Sequence, residues 1–125
     1  MGGEPGTRHW PVELRVKRAE KVLEIEFDDG ARFVLPAELL RVESPSAEVQ
    51  GHGPGQKQIP PGKRNVALTG AEPVGNYAVR LLFDDGHSTG IYSWSYLREL
   101  GERREERWQA YLAALEAQGL SRDRQ

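Results

Sequence analysis

His87 is the residue whose type and setting point most directly to chemistry. It follows a tight turn in Phe83-Asp84-Asp85-Gly86-His87-Ser88-Thr89-Gly90-Ile91-Tyr92-Ser93-Trp94. An imidazole beside two carboxylates and a hydroxyl suits metal ligation, acid–base work or simple closure of the turn by hydrogen bonding. One histidine does not make a zinc site, which takes four protein ligands or three and a water. His52 is the second candidate, set between Gly51 and Gly53, where the backbone can approach a ligand closely. If its loop folds toward the turn, His52 and His87 with Asp85, Asp84 or Glu48 form a two-histidine, one-carboxylate set suited to iron or zinc. The plain alternative is a loop histidine without a ligand. His9 lies in the lead-in and reads as incidental.

The interval from Val49 to Ala71 contains no acidic residue and carries Lys57, Lys63 and Arg64 among glycines. Such a stretch is open to a weak contact with an anion or a partner protein, and equally to being a solvated loop. Neither Gly55-Gln56-Lys57 nor Gly62-Lys63-Arg64 ends in the Gly-Lys-Ser/Thr of a phosphate-binding loop, which argues against nucleotide hydrolysis. Ser44, Ser46, Ser88, Ser93 and Ser95 are available, but no Gly-x-Ser-x-Gly elbow presents any of them as a nucleophile. A small enzyme acting on an anionic ligand is therefore the least supported reading.

The 125 residues include no cysteine, which excludes disulfides, thiolate zinc or iron–sulfur ligation and cysteine nucleophiles within this chain. A formal charge of -2 supplies no general attraction to nucleic acid or an anionic membrane. No apolar run approaches the roughly 18–20 residues of a membrane span. Residues 1–8 lack the apolar core of a secretory signal, so the cytoplasm is the expected compartment.

Elements that would position these residues follow from periodicity. Residues 1–10 read as a disordered lead-in, 11–118 as one domain and 119–125 as a frayed tail. Val12, Leu14 and Val16, then Leu23, Ile25 and Phe27, alternate with polar residues as strands do. Asp29-Gly30 predicts a type I′ or related hairpin turn, and Phe33–Leu35 completes a meander. Pro36 opens a short helix over Ala37–Arg41, with a cap or short turn at Ser44–Glu48. The loop from Gln50 to Arg64 holds three prolines and four glycines, which break regular structure. A short strand is predicted at Asn65–Thr69, a central one at Tyr77–Phe83 and another around Ser88–Ile91. Leu97, Leu100, Trp108, Tyr111, Leu112 and Leu115 then form a helical stripe with an Arg/Glu face opposite, divided at Gly101. Tyr92, Trp94 and Tyr96 are expected to pack where the last strand meets this helix.

The order repeats. Phe27-Asp28-Asp29-Gly30 rehearses Phe83-Asp84-Asp85-Gly86, and Leu40-Arg41 corresponds to Leu97-Arg98. Ala31 follows the first turn where His87 follows the second. The expected fold class is α+β: two β-meander–helix units forming antiparallel sheets, with an amphipathic C-terminal helix.

Several of these motifs together resemble the γ-butyrobetaine hydroxylase-like N-terminal domain family, whose stand-alone bacterial members are known as domain of unknown function 971. The residues are Leu35-Pro36-Ala37-Glu38-Leu39-Leu40-Arg41, Ser44 to Gly53, Val74-Gly75-Asn76-Tyr77-Ala78 and Phe83 to Tyr92. The likeness spans about residues 10–100. It implies a small α+β domain that in the hydroxylases precedes a 2-oxoglutarate- and iron-dependent catalytic domain. It also implies structural zinc held by three cysteines and a histidine, at positions occupied here by Ser44, Ser46, Val49 and His87. Serine hydroxyls and a valine methyl do not replace thiolates. With no oxygenase segment before Gln125, hydroxylation by this chain alone is not implied. Similar domains joined to P-loop ATPases that carry iron–sulfur clusters imply a role beside metal or cluster handling.

The reading that follows is a non-catalytic binding or adaptor domain for another protein, with self-association also open. Its partner surface is expected at Ser44, Pro45, Ser46, Glu48, Gly51, His52, Gly53, Lys57, Lys63 and Arg64. The alternative is a zinc or iron protein using His87, His52 and Asp85.

Overall fold

The computed structural model describes residues 9–51 and 55–123. Strands β1 (Pro11–Lys17), β2 (Val22–Phe27) and β3 (Arg32–Pro36) form one antiparallel sheet in that order. Helices α1 (Ala37–Val42) and α2 (Ala47–Gln50) follow it. Strands β4 (Leu68–Val74), β5 (Ala78–Phe83) and β6 (Ile91–Ser93) form the second antiparallel sheet, again in chain order. Helices α3 (Trp94–Glu102) and α4 (Arg104–Ala117) close the chain. The α+β class and the paired meander–helix units are as the sequence indicates. No helix among the described residues is long and apolar enough to cross a membrane.

Period-two alternation decides which sheet face is buried. Register pairs Leu14 with Ile25 and Ile25 with Phe33, and Val16 with Leu23 and Leu23 with Leu35. One face of the first sheet is therefore apolar, and it packs into a core shared with Leu68, Val79, Leu81, Phe83, Tyr92, Leu97 and Leu100. The opposite face is laced with ion pairs such as Lys17–Glu24 and Arg32–Glu26. β5 is the middle strand of its sheet, as its apolar run predicts, although Arg80 is exposed and Leu82 only half-buried. Tyr92 is fully buried while Trp94 and Tyr96 are half-buried against the core, in the place expected of them.

The structure corrects three local expectations. β4 starts at Leu68 and continues through Pro73 to Val74, where the sequence suggested a strand ending at Thr69. An edge strand tolerates Pro73 because its missing amide need not serve the ladder. β6 begins at Ile91, later than expected. The helical break falls at Arg103, and Gly101 lies inside α3. Glycine is needed at 101 for contact: a Cβ there would sit 2.5 Å from the Phe33 ring.

The two Asp-Gly turns take a related hairpin form, not type I′ itself. In each, the Phe amide bonds to the carbonyl four residues on (Phe27 to Ala31 at 2.9 Å, Phe83 to His87 at 3.0 Å). Each loop thus holds three residues, ending on a left-handed glycine, Gly30 at φ 88° or Gly86 at φ 92°. A type I′ turn would need positive φ at both central residues, and neither turn's aspartates adopt it.

These turns join the two units. The second aspartate of each turn accepts the amide two residues ahead, Ala31 to Asp29 and His87 to Asp85. Each also receives an arginine from the helix of the other unit. Arg98 of α3 grips Asp29 with two bonds at 3.0 and 2.9 Å, and Arg41 of α1 reaches Asp85 at 2.8 Å. The Leu-Arg repeat is therefore exchanged reciprocally between units. Arg98 also stacks over the Phe27 and Phe33 rings, so part of the expected solvated Arg/Glu face is engaged in tertiary contacts.

Replacing Gly101 with alanine is expected to lower stability by about 1–3 kcal/mol, despite alanine's better helix propensity, because the Phe33 ring must shift. Urea unfolding measures this, and increased stability would show that the ring yields without cost.

Candidate functional site

The site forms where the connector after α1 meets the second turn. Tyr92 and Tyr96 fix the path of that connector by donating to the Leu40 carbonyl at 2.5 Å and the Glu43 carbonyl at 2.6 Å. Ser46 caps α2, its hydroxyl accepting the Glu48 amide at 3.1 Å. These constraints bring Ser44 and Glu48 to opposite sides of the His87 ring.

Ser44 Oγ lies 2.8 Å from His87 Nε2, and Glu48 Oε1 lies 2.9 Å from Nδ1. An ionised carboxylate only accepts, so Nδ1 carries the proton and Nε2 accepts from the Ser44 hydroxyl. Ser44 Oγ in turn accepts the Ser46 amide at 3.2 Å. Ser46 and Thr89 share a hydroxyl hydrogen bond of 2.6 Å, a second link from connector to turn. Neutral His87 is thus satisfied at both nitrogens. Burial lowers its pKa, as does the nearby Arg41 charge, against the opposing effects of Glu48 and Asp85.

Asp85 supports the same corner from below. Burial alone would raise its pKa, but Lys63, the His87 amide and Arg41 together hold it down at about 2. Lys63 reaches it at 2.6 Å. Lys57 pairs with Glu43 and Arg64 with Asp123, so each of the three cations noted in the connector has an acidic partner. The connector is tied along its described length: Gln58 donates to Val49, and Tyr111 to the Pro60 carbonyl.

Ser44, His87 and Glu48 have the hydroxyl–imidazole–carboxylate order of a nucleophilic relay. Access decides against that chemistry. Ser44 is 0% exposed, and its Oγ abuts Gly90 so closely that a Cβ there would lie 2.5 Å away. No tetrahedral adduct fits around such an oxygen.

The four positions that the family resemblance assigns to zinc do not fit that ion. Ser44 and Ser46 present hydroxyls already committed to His87 and Thr89, and buried Val49 offers no donor side chain. For the iron or zinc set, Asp85 meets His87 through its backbone amide, and both ring nitrogens are engaged. His52, with Gly53, lies outside the described residues. The one cluster of three potential ligands among those described is His9, Asp28 and Asp29. It is surface-placed, and Arg98 occupies Asp29.

The family model described as gamma-butyrobetaine hydroxylase-like, N-terminal, matches residues 14–98. The chain belongs to this family. Two structures solved by solution NMR resemble it at 47% and 48% identity, with TM-scores of 0.80 and 0.81. Those matches cover 92% and 98% of this chain and 90% of each relative. A crystal structure of a DUF971-family protein of unknown function from Acidithiobacillus ferrooxidans ATCC 23270 is 41% identical, with a TM-score of 0.63. That match covers 79% of this chain and 98% of the other. No curated protein matches.

The residue pattern marks His87, with Glu48 among its possible neighbours; the Ser44–His87 and Ser46–Thr89 hydrogen bonds, each across 43 residues, have no local signal. The equivalent Leu-Arg positions in the two units were the available signal for Arg41 at Asp85.

Ser44→Ala leaves buried Nε2 without its donor and is expected to cost about 1–3 kcal/mol, read by denaturant unfolding. An unchanged midpoint would show that the contact contributes nothing. Acidification has two windows. The lowered His87 pKa means that the unfolded chain binds the extra proton, so stability declines as pH falls below 6.5. Asp85 adds a second decline as pH drops from 3.8 toward about 2. His87→Gln should remove the first decline and keep the second; retention of both would assign the first elsewhere.

Proposed function

We propose that this domain is a non-catalytic binding or adaptor module that presents the His87 corner to another protein. The observation carrying this reading is that His87 uses both ring nitrogens to fasten the Ser44–Gln50 segment to the second turn. An imidazole spent in this way shapes a surface and leaves no nucleophile or open ligand position beneath it. Ala47 and Glu48 are exposed on the outside of that fastening. The partner surface comprises Pro45, Ala47, Glu48 and Gly51, extended by Lys57, Lys63 and Arg64. Membership of a family described as gamma-butyrobetaine hydroxylase-like, N-terminal, supports a partner concerned with oxygenase chemistry. The cytoplasm is the proposed compartment.

Two measurements test this reading. Protein purified without an affinity tag should contain negligible zinc and iron, in wild type and His87→Ala alike, and a chelator should leave its melting temperature unchanged. Stoichiometric metal lost with His87 would favour the metal-binding alternative instead. Ala47→Arg, which places a bulky charge on the exposed face and leaves the His87 contacts to Ser44 and Glu48 intact, should abolish co-purification of a native partner protein while the chain stays folded. Retention of every partner by that variant would place the interaction elsewhere.

A further inference from the structure

Beyond α4 the chain turns at Gly119, and Ser121–Asp123 lies along the connector of the first unit. The amides of Gly62 and Arg64 donate to the carbonyls of Ser121 and Arg122 at 2.9 and 3.1 Å, two backbone bonds outside any sheet. Between these bonds Arg122 enters a slot. Its guanidinium makes a two-bond fork to Glu38, at 2.8 and 2.7 Å, and stacks 5.0 Å above the Trp108 ring. The following residue, Asp123, pairs with Arg64.

This arrangement has the parts of a peptide receptor: a backbone edge, a pocket for one side chain and a charge for the next. Glu38 is 6% exposed, so without a guanidinium it would be a buried anion without a forked partner. The planar fork and the aromatic face select arginine over lysine. A groove of about 650 Å³ continues beside the seated segment, lined by Pro61, Lys63, Asn65, Asp84 and Asp123 among others, with room for further residues of a ligand.

We propose that the Glu38–Trp108 slot and the 62–64 edge form a docking site for an extended, arginine-bearing segment of another protein, closed in cis by Ser121–Asp123. The complementary charge of Glu38 and the observed seat of Arg122 identify that occupant. The site shares Lys63 and Arg64 with the proposed partner surface, but its slot, Glu38 and Trp108, makes no hydrogen bond to His87, Ser44 or Glu48, so the peptide titration and the partner test can fail separately.

The test uses the full chain and two synthetic peptides, acetyl-Ser-Arg-Asp-amide and its lysine counterpart, titrated by NMR. Arg122→Ala should bind the arginine peptide at least about tenfold more tightly than wild type, because the internal competitor is gone. The lysine peptide should bind more weakly, and adding Glu38→Gln should abolish binding. A folded Arg122→Ala chain that ignores the peptide, or binds it no better than wild type, overturns the proposal. If Arg122→Ala does not fold, Arg122→Lys, which keeps a cation but lacks the fork, carries the same titration with the same criteria.

Discussion

Two carboxylates at the tips of matching turns each depend on an arginine that their own unit does not supply. Asp29 receives Arg98 and Asp85 receives Arg41, across sequence separations of 69 and 44 residues. Neither pair forms until both meander–helix units have docked. The exchange therefore couples the units, and it does so at turns whose backbone is already fixed by a left-handed glycine. Surface ion pairs are generally weak. These owe their importance to position, since Arg98 also covers Phe27 and Phe33 at the rim of the core.

The same exchange prepares the His87 corner. Arg41 and Lys63 hold Asp85, Asp85 holds the His87 amide, and the ring then meets Ser44 and Glu48. The first unit has Ala31 at the equivalent place, which keeps the turn but offers no side chain to the connector. The residue after the turn is thus one place where the two similar units differ in what they offer the connector. The hydroxyl and imidazole network cross-links connector and turn without thiolates, and its geometry is complete only for neutral histidine.

At the other end of the connector, Glu38 and Trp108 hold the segment after α4 through one arginine. The connector, rich in glycine and proline, is consequently ordered by contacts at its sides. Its Ile59 joins Val42 of α1 and Tyr111 and Leu115 of α4 in a second small apolar cluster separate from the main core. Proline and glycine prevented it from pairing as a regular strand or coiling as a helix, leaving its amides available to the chain's last described residues.

Sequence by itself determined the paired units, the strand alternation, the glycine turns and the prominence of His87, because each depends on local periodicity or backbone sterics. The amphipathic stripe after β6 was equally legible, though its break falls at Arg103 and Gly101 lies inside α3 against the Phe33 ring. Only the tertiary structure decided which arginine serves which turn, that Ser44 and Glu48 flank the imidazole, and that Arg122 fills the Glu38 slot. These contacts join residues about 40 to 84 positions apart, with no spacing rule to announce them. Burial then settled the chemistry: the same serine, histidine and glutamate would read as a reactive relay at a surface, but Ser44 is enclosed by Gly90 and serves to hold the chain together.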